Sequence, residues 1–161
     1  TRLIRTLIEA GAVVVCGGGG GIPVVRDEQG RRRGVEAVVD KDLTAAVLAE
    51  ALEADFLMIL TDVPAVLDNY GTPEQCEISR ATPGAMRRRG FAAGSMGPKV
   101  EAACRFVELT GDTAAIGRLE DAEAIIAGAA GTIITPGGDY GGPGDIHPPV
   151  PEPTEPRKRR A

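Results

Sequence analysis

The stretch that decides the fold is DKDLTAAVLAEALEADFLMILTD, residues 40–62. Residues 42–54 are dominated by Ala and Leu, the strongest helix formers, and Asp42 stands where a helix N-terminus favours a carboxylate. Residues 56–60, FLMIL, are wholly apolar. That run is far too short to span a bilayer but has the length of a strand buried on both faces. Thr61 and Asp62 end it. A helix running straight into a doubly buried strand is the half-unit of an α/β protein.

The same alternation extends in both directions. Upstream, Leu3, Ile4, Leu7 and Ile8 recur at helical spacing up to Gly11, and residues 12–16, AVVVC, form a β-branched run expected to be a strand. Five glycines follow, and residues 22–26 and 35–39 flank a polar turn around Gly30 as an expected hairpin. Downstream, Pro64, Gly71 and Pro73 make residues 63–78 an expected irregular segment. Thr82-Pro83 has the form of an N-cap followed by Pro at the first helical position, and Gly90 stops that helix. Residues 94–99 are expected to be a loop, with Pro98 starting the next helix. Strands at 113–116 and 132–135 enclose a helix at 120–127. The expectation is α/β: a three-layer sandwich with a mostly parallel sheet.

Length and composition set the organisation. Of 161 residues, the last 26 hold seven of the 12 prolines and five of the 22 glycines. Residues 1–135 are therefore expected to be the folded body and 136–161 a Pro/Gly-rich disordered tail. Lys and Arg balance Asp and Glu in the tail, so the body carries the whole net charge of −5. An acidic body with 3% aromatic residues argues against a nucleic-acid surface, which needs a basic stripe and stacking rings. The basic clusters at 31–33, 87–89 and 157–160 read as solvated faces. A single histidine, His147, excludes a histidine triad and any two-histidine metal site. Cys16, Cys76 and Cys104 form no CxxC pair, and their odd number fits a reduced, cytoplasmic setting.

Three constellations have chemical content. Gly17 to Gly21 follow an expected strand; such a run suits a backbone that offers bare N–H groups to an anion, or a flexible turn. Asp40-Lys41-Asp42 opens the Ala-rich helix, either as an ion-paired surface turn or as a lysine held over a phosphoryl group. Gly94 to Lys99 places glycines and a lysine at a helix start, an anion site or an exposed loop. All three fall at strand–helix junctions, which an open sheet gathers at one edge. Two lysines, two glycine loops and a carboxylate suit phosphoryl transfer, which rests on positioning and charge neutralisation and needs no histidine.

These residues resemble the carbamate kinases of the amino-acid kinase family. The resemblance is carried by GGGGIPVV (18–25), GVEAVVDKDLTAAVLAE (34–50), MILTDV (58–63), AGSMGPKVEAACRFVE (93–108), AAIG (114–117) and GTIITP (131–136). It implies reversible phosphoryl transfer between ATP and carbamate, giving ADP and carbamoyl phosphate, with Mg²⁺, in a homodimer of arginine metabolism. It implies catalytic roles for Lys41, Asp42 and Lys99, with Lys99 at the transferring phosphate and Asp42 organising the lysines. Gly18, Gly19, Gly20 and Gly21 would line the carbamate side. Thr61, Asp62, Asn69, Tyr70, Gly71, Met96 and Gly97 would lie by the nucleotide. It further implies that these residues correspond to the nucleotide-binding C-terminal half of the family, the other half carrying a first GGN loop and a protruding subdomain.

Overall fold

The computed structural model describes residues 1–91 and 94–137. The expected tail, His147 and the basic run 157–160 lie, apart from residues 136 and 137, outside the described residues. Helix α1 (Arg2–Glu9) and a small hairpin, β1 (Val24–Arg26) with β2 (Arg32–Gly34), precede the body. The body begins at helix α2 (Lys41–Leu52), whose N-cap is Asp40. It continues through β3 (Phe56–Thr61), the hairpin β4 (Val66–Asp68) and β5 (Cys76–Ile78), and β6 (Arg80–Ala81). Helices α3 (Pro83–Arg89) and α4 (Met96–Thr110) follow, then β7 (Thr113–Arg118), the short α5 (Ala122–Ile126) and β8 (Thr132–Ile134).

The central sheet has the order β3-β7-β8-β6, with β3–β7 and β6–β8 parallel and β7–β8 antiparallel. Helices cover both faces. Leu57, Ile59, Ala114 and Ile116 pack with α2, α3 and α4 around the fully buried Phe106, while Ala115 and Ile133 meet Ile125 of α5 on the other side. With so few aromatics, the body is filled by small aliphatic side chains: Ala102, Ala103, Ala114 and Ala115 have no exposed surface. The expected α/β layers with a mostly parallel sheet are thus present.

Topology then decides where chemistry can sit. Both α2 and α4 lead through short links into parallel neighbours, β3 and β7, and so run back against them. Their N-termini therefore meet the carboxyl ends of β3 and β7 at one edge of the sheet, where ligands of open α/β sheets bind.

Several local expectations need correction. Residues 12–16 form no strand: Val13 and Val15 are 97% exposed, because no neighbouring strand among the described residues supplies ladder partners. The hairpin around Gly30 exists, but its second strand is 32–34 rather than 35–39. Asp27 explains the shift: its carboxylate accepts from the N–H groups of Gln29 (3.0 Å) and Arg31 (2.9 Å), closing a turn that brings Val24 opposite Gly34. Residues 63–78 are not irregular; they hold the β4–β5 hairpin. The buried Thr132 anchors that hairpin, accepting from Val66 N–H at 2.8 Å and donating to Ile78 C=O at 2.5 Å. Helix α4 begins at Met96, so Pro98 sits inside its first turn, where a missing N–H costs nothing.

The arginines of 87–89 are not merely solvated. The Arg87 side chain joins Glu108 and, at 3.1 Å, Glu101, clamping α3 to α4. Those carboxylates, Glu108 foremost, hold its guanidinium even more firmly protonated than usual.

A lysine pair at the sheet edge

Residue Asp40 builds the first part of the site. Its Oδ1 accepts from the N–H groups of Asp42 (2.8 Å) and Leu43 (2.9 Å), so two of the free N–H groups at the start of α2 are already taken. Asp42, one residue into the helix, is buried and turns its carboxylate towards α4. There Lys99 Nζ lies 2.9 Å from Asp42 Oδ2, with the two side chains 15% and 11% exposed. Lys41 Nζ reaches the same oxygen at 3.9 Å, but its side chain is 63% exposed.

Electrostatics explains why these groups need one another. A cation in the first turn of α4 opposes the positive end of the helix dipole, and partial burial removes much of its hydration. Asp42 offsets both terms for Lys99. Lys41 and Lys99 thus share the one buried carboxylate of Asp42, while the carboxylate of Asp40 is spent on the α2 N-terminus. Unlike α2, α4 has no side-chain cap, since Ser95 makes no capping hydrogen bond. Its first-turn N–H groups are open to an anion, and Met96 and Gly97 belong to that turn.

The glycine run approaches from the other side. Thr44 Oγ1 lies 2.7 Å from Gly20 C=O and 3.0 Å from Asp40 C=O, tying the loop to the start of α2. Gly20 has φ +121°, and a Cβ there would stand 2.3 Å from Val39 C=O, so this position requires glycine. Gly18, Gly19 and Gly21 have open space around them. Cys16, Gly17 and Gly18 border a cleft of about 380 Å³ whose other wall is Lys41, Thr44, Ala45 and Leu48.

Of the remaining expected residues, Thr61 and Asp62 lie at the carboxyl end of β3 on the same edge. Thr61 ends β3 and donates to Asp62 at 3.1 Å. Asn69, Tyr70 and Gly71 form the exposed turn of the β4–β5 hairpin. Asn69 adopts a left-handed φ of 50°, and Gly71 N–H donates to Gln75 Oε1 at 3.0 Å. The structure thus brings Lys41, Asp42 and Lys99 into one cluster with Gly20 attached through Thr44; Thr61 and Asp62 share its sheet edge, while the 69–71 turn belongs to the separate β4–β5 hairpin. Sequence reading missed Arg118. It ends β7 directly beside Thr61 in the parallel register, a third cation at the edge. Only the pairing of β3 with β7 reveals it.

The sequence profile of the amino acid kinase family matches residues 1–117. The chain belongs to the amino acid kinase family. Among curated proteins, this chain is 52% identical over 134 residues to carbamate kinase of Haemophilus influenzae, covering 83% of this chain and 43% of that one. It is 46% identical over 134 residues to carbamate kinase of Thermococcus kodakarensis, covering 81% and 42%. Among solved structures, carbamate kinase from Giardia lamblia bound to AMP-PNP superposes with a TM-score of 0.79 at 40% identity, over 84% of this chain and 49% of that one. The chain spans less than half the length of the curated relatives it matches.

No three His, Cys, Asp or Glu side chains among the described residues converge as a metal cage, and Asp42 is already engaged by Lys99. No helix among the described residues is long and apolar enough to cross a membrane.

Proposed function

We propose that this amino acid kinase works in reversible phosphoryl transfer between ATP and carbamate, giving ADP and carbamoyl phosphate. The observation that carries the reading is the largely buried Asp42–Lys99 pair beneath an uncapped helix N-terminus, in a chain about half identical to carbamate kinases over most of its length. Mg²⁺ enters as part of the metal–nucleotide substrate, taking its ligands mainly from phosphate and water. The reading extends to a cytoplasmic homodimer in arginine metabolism; the three free cysteines support the reducing compartment.

In the forward direction a carbamate oxygen attacks the γ-phosphorus, the bond to the β,γ-bridging oxygen breaks, and ADP leaves. Carbamate is already an anion, so no general base is required. The protein's task is to place like charges together and neutralise them. Lys99, held by Asp42, faces the transferring group; the α4 N–H groups of Met96 and Gly97 receive phosphate oxygens. Lys41, with its exposed side chain, neutralises the phosphoryl and carbamoyl oxygens, with Gly18, Gly19, Gly20 and Gly21 on the carbamate side. Thr61, Asp62, Asn69, Tyr70 and Gly71 border the nucleotide.

The test is ATP formation from ADP and carbamoyl phosphate. It is run on the 161-residue chain and on a fusion restoring the part of a carbamate kinase that the chain does not match. Lys99→Ala is expected to lower the fusion's rate by about 10²–10³, the usual effect of removing one positioned charge donor. Near-normal transfer by that variant would overturn the reading.

A further inference from the structure

The arginines at 87–89 are absorbed neither by the core nor by the lysine cluster, yet two of them make specific ion pairs. Arg89 stands at the end of α3, where the chain returns to the lysine edge. Its Nε donates to Asp68 Oδ2 at 2.8 Å, and its Nη1 donates to Ala85 C=O at 3.1 Å, which fixes the guanidinium on its own helix. The Asp68 and Arg89 side chains are only 27% and 30% exposed. The second carboxylate oxygen of Asp68 accepts from Asn69 N–H at 3.1 Å. One carboxylate therefore joins a rigid helix to the first residue of the β4–β5 turn.

That turn is ordered from within and presents an aromatic ring to solvent. Thr72 N–H donates to Asn69 C=O and Gln75 N–H to Thr72 C=O, both at 3.1 Å, while Tyr70 is exposed. Its internal bonds define its shape but not its direction relative to the lysines. Two contacts outside the turn set that direction: Thr132 at the hairpin base and Arg89 at Asp68. Arg87 completes the connection by clamping α3 to Glu101, two residues beyond Lys99 in α4. Arg88, between them, is exposed like its neighbours but takes part in neither pair, and serves as an internal control.

We propose that Asp68 and Arg89 are a positioning pair that aims the 69–71 turn at the nucleotide, with α3 as the strut between that turn and the lysine-bearing helix. This rests on the nucleotide reading of the turn given above. Neither residue touches the reacting atoms, so the pair acts on affinity rather than on the chemical step.

The experiment measures ADP affinity of the full 161-residue chain by titration calorimetry, alongside thermal unfolding and amide exchange at Thr72 and Gln75. Arg89→Ala and Asp68→Ala are each expected to weaken ADP binding about fivefold and to speed exchange in the turn, as loss of a well-formed surface ion pair implies. Arg88→Ala is expected to change neither. The two effects should not add in the double variant, and Arg89→Lys should recover part of the affinity. In the fusion, Arg89→Ala should raise KM for ADP and leave kcat within twofold. Unchanged affinity in both single variants overturns the proposal while leaving the nucleotide reading intact. Equal losses in Arg88→Ala, or losses that follow the unfolding temperature alone, also overturn it. An unsubstituted chain that binds no ADP sinks the nucleotide reading and the proposal with it.

Discussion

Two apolar runs of equal length, AVVVC at 12–16 and FLMIL at 56–60, end in opposite environments. The second pairs residue for residue with β7, burying Leu57 and Ile59 under α2 and α4. The first has the higher β-propensity and yet leaves Val13 and Val15 in solvent. The contrast extends to their surroundings. Among residues 1–39 Gly20 alone is buried, whereas the hydrophobic core begins at Ala46. Composition makes a run able to be a strand; a neighbour with free ladder groups makes it one.

The comparison can be broken in four ways. Phe106→Ala empties the centre of the body and is expected to cost about 3–5 kcal/mol in urea unfolding. A loss under 1 kcal/mol would mean that the body lacks the core assigned to it. Gly20→Ala attacks the tie between the two regions, forcing a Cβ onto Val39 C=O, and should cost about 2 kcal/mol. Its distinguishing readout is faster protease cleavage within 1–39 at unchanged cleavage of the body; equal acceleration in both would contradict a local tie.

Burial pushes the Cys104 thiol up to about 11, from an ordinary value of 9.0. Its contribution to stability is therefore complete below pH 9 and disappears between pH 9 and 11, where the unfolded thiol ionises first. The loss is on the order of 2 kcal/mol. Cys104→Ser should flatten that part of the pH–stability curve, whereas Cys16→Ser, in the exposed run, should not. The smallest effect belongs to Val13→Ser, expected to stay within about 0.5 kcal/mol. A large loss there would show that residues 12–16 have a partner after all.

Much of the body was legible because it depends on local pattern. Residues 42–54, Thr82-Pro83 and 113–116 became helix, capped helix start and strand within a few residues of expectation. The misses share a cause. The β4–β5 hairpin is a short pair of strands interrupted by Pro and Gly, and it is held by Thr132, 66 residues away from Val66. Helix α4 starts before Pro98 because Pro is tolerated throughout a first turn, so the proline marks the region and not the boundary. The arginines 87–89 look alike in sequence; only the positions of Glu101, Glu108 and Asp68 separate them.

Sequence by itself determined that this is an α/β chain with lysines at two helix starts and a glycine run in a loop, because helical and strand periodicities, caps and breakers act over a few residues. It also carried the motifs of the family. Tertiary structure alone decided that Asp42 holds Lys99, 57 residues away, more closely than its neighbour Lys41. It likewise decided that Asp40 caps α2 while α4 stays uncapped, and that Arg118 stands beside Thr61. The physical reason is range. A charge pair or a strand register joins groups that only the packed sheet brings within a few ångströms, and no local pattern encodes that distance.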